Sequence, residues 1–382
     1  MASLSLTDQS FEPTPEAQSG PWIENPAWTG LDLLLLATTL LLGTFVFSAI
    51  AVAVAHARGK ALSEIAGNPS VWILIPAQGA AYAVVFVVLY LLATFRRLRF
   101  WESLRWNWPQ GFLWMAFPAA GFTLAIVVGV LQKVLPMPKE LPIEKLFLQP
   151  GAAQLLAVFG IAVAPFVEET LFRGLLYPVS NRWLRDVLNR KQSLRNAGWI
   201  FLLLIPWGFA VQWHRPLGTL LLSCTVLLLT GAAYAHFALE QSPAQAARVV
   251  LPGLTFFVWG VVASQLSRVH LRQTSAALLF VVLLFAFAAL KLRPGTLATR
   301  LGIGLSFALT AVSFTALHAQ QLASSWAPLL VLLLVSSVLT FTRARTSSLA
   351  SSVLLHIGYN GTLFAGAFLA TDHFRHLENI SR

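Results

Sequence analysis

Two adjacent glutamates, Glu168 and Glu169, interrupt the apolar stretch Ala164–Gly174, and Arg173 follows them. A charged side chain in such a stretch costs a few kcal/mol unless it is paired or used. Glu169 and Arg173 are four residues apart and share one face of a helix, which reads as a buried ion pair. That pair leaves Glu168 unexplained. A helix turns by about 100° per residue, so Glu168 points away from Glu169. One carboxylate can be tied to the arginine while the other faces a cavity, and such a split gives two carboxylates different roles.

Two further polar groups stand in apolar surroundings. His318 follows Phe314 by four residues, and Asn360 follows His356 by four, so each pair shares a helix face. Alone, each histidine reads more readily as a hydrogen-bonded packing residue. Together with the glutamates they form a set. Glu and His can activate a water as general base, and His and Asn can donate to a developing oxyanion. The remaining histidines, His214, His236, His270, His373 and His376, fall in loops, near span ends or in the C-terminal tail. Cys224, the single cysteine, lies in an apolar run and reads as packing. Neither a Gly-x-Ser-x-Gly elbow nor a His-Glu-x-x-His zinc signature occurs.

The elements that must position these groups are membrane helices. Of the 382 residues, 57% are hydrophobic and 11% charged, too apolar for a soluble domain to cover its core. The apolar residues come in continuous runs such as Leu31–Ala55, not in the alternating segments of barrel strands. The expected fold class is all-α: a polytopic integral membrane helical bundle. It has about eleven candidate spans, at 31–55, 70–95, 111–136, 151–180, 197–213, 217–239, 249–265, 275–291, 298–323, 326–342 and 346–371. Residues 1–30 carry no Lys or Arg and read as a polar tail, and 372–382 as a second tail.

The formal charge of +11 does not indicate nucleic acid, because the basic residues sit in short clusters between apolar runs. Arg96, Arg97, Arg99 and Arg105 form one cluster, 182–195 a second, and Arg343 with Arg345 a third. By the positive-inside rule the N-terminus is then cytoplasmic. Trp101, Trp106 and Trp108 among these arginines suit either an interfacial helix or an ordinary loop with belt tryptophans. Glu168 lies 17 residues before Arg185 and His318 lies 18 after Arg300, each roughly 25 Å along a helix. His356 lies 11 after Arg345, roughly 16 Å. The three groups can therefore share one membrane layer.

Glu-Glu-x-x-x-Arg, Phe-x-x-x-His and His-x-x-x-Asn, in this order on apolar helices, resemble the motifs of the CPBP family. That family includes the type II CAAX prenyl endopeptidases and bacterial proteins linked to bacteriocin processing or immunity. The run Thr342–Leu349 resembles the lead-in to the family's last motif. The resemblance covers about 151–185 and 300–371. It implies an intramembrane endopeptidase in the cytoplasmic membrane of a bacterium, acting on a membrane protein, leader peptide or lipidated peptide. In that reading Glu168 and His318 activate the water, and His356 and Asn360 stabilise the oxyanion. Glu169, Arg173 and Phe314 orient the site. The family is described as glutamate-dependent, so no cofactor is required, and a zinc alternative would use Glu168, His318 and His356.

The chain departs from the family where positions 186–299 separate the first motif from the second. The organisation expected is thus a tail, N-terminal helices over 31–150, and a catalytic membrane domain over 151–371 that carries this insert. The two halves of the site can meet only if the insert returns the chain to the face it left. Two other classes compete. A non-catalytic scaffold or immunity protein would use the same charges to hold helices together. A proton-coupled transporter would use them as a relay, and the absence of an evident repeat counts against it.

Overall fold

The computed structural model describes residues 22–62, 70–138, 141–149, 151–189, 297–323 and 325–375. Their apolar runs form seven long helices: α1 Gly30–Ala57, α2 Val71–Phe95, α3 Leu113–Val134, α4, α5 Leu297–Leu317, α6 Trp326–Thr346 and α7 Leu349–Ala370. α4 is one continuous helix in five stretches, Ala152–Val158, Phe159–Val163, Ala164–Glu169, Thr170–Leu176 and Tyr177–Asn189. The second and fourth stretches are π-helical. No strand occurs among the described residues. Backbone groups are thus paired inside each helix, as a hydrocarbon layer demands.

Six of these helices are long and apolar enough to cross a membrane, so eleven spans are not found among the described residues. Four of the eleven, at 197–213, 217–239, 249–265 and 275–291, lie outside those residues, as do Cys224, His214, His236, His270 and His376. The seventh helix, α5, covers part of the span expected over 298–323, and its stretch Gly302–Leu317 is a shorter apolar helix than the other six. Arg300 stands at its start, and the chain turns at His318.

α6 is the central helix, buried over most of its length, whereas α1 turns Leu41, Leu42 and Phe45 outward. Outward apolar side chains suit lipid. α3 and α7 cross at Gly121 and Gly358, where a methyl group on either glycine would overlap the partner's backbone. Pro118, at the same crossing, also brings its backbone against Gly358. Small residues permit this approach, and it fixes where α7 presents His356 and Asn360.

The described arginines of the three clusters gather at one end. Arg96 pairs with Asp32 at 2.5 Å, and Arg105 with Glu24 at 3.2 Å. Leu349 donates its N–H to the Arg105 carbonyl at 2.9 Å, which docks the start of α7 there. The Trp-bearing loop has one helical turn, Phe100–Ser103. The core at this end joins Ala93, Leu104, Leu175, Val179 and Leu349. α4 continues past Val179 to Asn189.

α4 and α5 run antiparallel on either side of the insert. Phe172 meets Phe314 with ring centroids 5.2 Å apart. Further along, Asn181 donates to Ser306 at 3.2 Å, and Gly302 lies against Arg185. The chain therefore leaves α4 and enters α5 at the same end of the bundle, which meets the condition set by the insert.

Candidate active site

The site is built on an irregularity in α4 that the sequence explains. In the first π stretch Ala164 donates its N–H to the Phe159 carbonyl, five residues back. The next donor in that pattern would be residue 165, which is proline and has no N–H. The Gly160 carbonyl is thereby left open, and the Asn360 amide donates to it at 2.7 Å. π turns change the angle at which side chains leave a helix, and they concentrate at functional sites. Phe166 then packs against Phe86 and Trp106, with centroids at 5.2 and 5.4 Å, and holds this face of α4 against the bundle.

Glu169 and Arg173 form the expected pair, with Nη1 2.9 Å from Oε1 and both side chains fully buried. Arg173 also donates to the Ser336 hydroxyl at 2.6 Å, to its carbonyl at 2.9 Å and to Thr340 at 3.3 Å. Ser352 donates to Glu169 Oε2. His356 Nδ1 lies 2.9 Å from Glu169 Oε1. Charge-assisted bonds on every side offset the desolvation of a buried ion pair, and removing one partner would cost about 3–5 kcal/mol.

Glu168 points elsewhere, as the helical turn demands. Its Oε1 lies 3.6 Å from His318 Nε2, and these side chains keep 15% and 21% of their surface exposed. His318 Nδ1 lies 2.8 Å from the Phe314 carbonyl, one turn back. Phe314 joins the two groups. Its ring lies 4.6 Å from the His318 ring and 6.0 Å from the His356 ring, and the Arg173 guanidinium sits 4.5 Å from its centroid. No protein-family model, curated protein or solved structure matches the chain. The resemblance of its motifs therefore stands on the residues themselves.

Six of the seven residues singled out by sequence form one contiguous group: Glu168, Glu169, Arg173, Phe314, His318 and His356. Asn360 stands one turn from His356 on α7, with one amide N–H given to Gly160. Sequence reasoning missed Ser336, Thr340 and Ser352, which complete the shell around Arg173 and Glu169. A signal for them existed. Ser336 and Thr340 are four apart in an apolar helix, and Ser352 precedes His356 by four. The zinc alternative needs Glu168, His318 and His356 around one point; His356 Nδ1 lies against Glu169, and Glu168 faces His318. Among the described residues no three His, Cys, Asp or Glu side chains are grouped to hold a metal ion.

Proposed function

We propose that this chain is an intramembrane endopeptidase of the CPBP type, hydrolysing a peptide bond of a membrane-anchored or lipid-modified polypeptide. The observation that carries this reading is the partly exposed Glu168–His318 pair beside a fully sealed Glu169–Arg173 pair. The 3.6 Å gap is longer than a direct hydrogen bond and suits a water held by both groups.

Proton positions follow from the acceptors. A carbonyl and a carboxylate only accept, so Nδ1 carries the proton on both His318 and His356. His318 Nε2 is then free to take a proton from the water, with Glu168 as its partner. Only in its doubly protonated form does His356 carry an N–H on Nε2 as well, and that is the form the step uses. Nε2–H of His356 and the second amide N–H of Asn360 are the donors for the oxyanion. After the C–N bond breaks, the proton held by Glu168 and His318 passes to the leaving amine. The arginine-rich end faces the cytoplasm, and the N-terminal segment with it.

The test compares membrane proteomes of cells making the wild-type chain or Glu168→Gln, followed by cleavage of the candidate peptide in proteoliposomes. Loss of cleavage in Glu168→Gln and His318→Ala supports the reading. Cleavage surviving both changes overturns it. Full biological activity of a folded Glu168→Gln, with no cleavage product in either form, points to a scaffold.

A further inference from the structure

A second buried ionic group lies at the arginine-rich end, outside the site. It is centred on Glu24, in the extended strap that precedes α1. The Glu24 side chain is 1% exposed, and Arg343 of α6 lies 2.7 Å from it and is itself fully buried. Arg105 adds a second cation at 3.2 Å. The strap backbone is held as firmly. The Glu24 N–H donates to the Asn181 side chain of α4 at 3.1 Å, and Trp22 donates to the Ala344 carbonyl of α6 at 3.0 Å. Arg185 of α4 donates to the Glu24 carbonyl at 2.5 Å.

These contacts bind two parts of the chain that connectivity does not. α4 precedes positions 190–296 and α6 follows them, so the two helices are far apart in the chain. The site needs register, because Glu168 comes from α4 and His318 from α5. Two ties supply it. In the membrane, Arg173 of α4 grips Ser336 and Thr340 of α6. At the end of the bundle, Glu24 joins Asn181 and Arg185 of α4 to Arg343. Ser336, Thr340 and Arg343 are spaced four and three apart, so both ties grip one face of α6.

We propose that Glu24 is a positioning residue, which fastens the helices before and after the insert so that Glu168 meets His318 in register. Only the catalytic arm of its test rests on the protease reading. The full chain carries Cys224→Ser, with Phe172→Cys and Phe314→Cys as reporters on α4 and α5, bridged by a short thiol-specific crosslinker. Glu24→Gln is expected to lose most of the wild-type crosslinking. Without the reporters, its kcat falls on the order of tenfold, as small misplacements of reacting groups produce, with KM unchanged. Glu24→Asp keeps the charge and recovers part of both, and it decides the matter if Glu24→Gln does not fold. Glu102→Gln, which breaks an exposed ion pair with Arg99, is the control and leaves both unchanged. Wild-type crosslinking in Glu24→Gln, or a change in KM alone, overturns the proposal. If the wild-type chain cleaves nothing, the protease reading fails and crosslinking alone decides the role of Glu24.

Discussion

Glu168 and Glu169 are neighbours with the same side chain, and the fold places them in opposite circumstances. Glu169 is enclosed by Arg173, His356 and Ser352. Glu168 retains surface and faces one histidine across a gap. One hundred degrees of helical turn separates a carboxylate that holds the bundle together from one left free to act. In the proposed protease, the cost of burial falls on the sealed pair, and Glu168, the acid proposed to react, sits beside it with part of its surface exposed.

The largest expected effect separates the two in activity and stability. Glu168→Gln should lower cleavage by about 10²–10⁴-fold, the scale of general base catalysis, while thermal unfolding in detergent stays at the wild-type temperature. Equal loss of activity and stability would erase the distinction. Arg173→Met should do the reverse of Glu168→Gln and destabilise the fold by about 3–5 kcal/mol, because buried Glu169 loses its arginine partner. The double change Glu169→Gln with Arg173→Met should recover part of that loss, since no uncompensated charge remains. A double variant as unstable as the single one would show that the pair's electrostatics do not hold the helices.

A smaller effect concerns the π turn that aims Glu168. Asn360→Ala leaves the Gly160 carbonyl without its donor and should cost about 1–3 kcal/mol. Adding Pro165→Ala restores a backbone N–H and should lessen that cost, which a double-mutant cycle of unfolding temperatures would detect. The smallest expected effect is that of a chelator. Cleavage should persist after chelation, and loss restored by zinc would instead favour the metal-assisted version of the site.

The site was legible in sequence because charge in an apolar run is conspicuous, and because four-residue spacing places two groups on one face. Glu169–Arg173, Phe314–His318 and the separate direction of Glu168 followed from that alone. The shell did not. Serine and threonine are ordinary in membrane helices, so Ser336, Thr340 and Ser352 gain meaning only from the arginine and carboxylate they meet.

By itself, the sequence determined that the chain is a helical membrane protein and which residues are too costly to bury without purpose, because hydropathy and helical periodicity are local. Only the tertiary structure decided that Glu168 reaches His318 across the insert, that Pro165 opens a carbonyl for Asn360, and that Glu24 is buried against Arg343. Each joins residues far apart in the chain. Their meeting depends on helix packing, which local spacing does not encode.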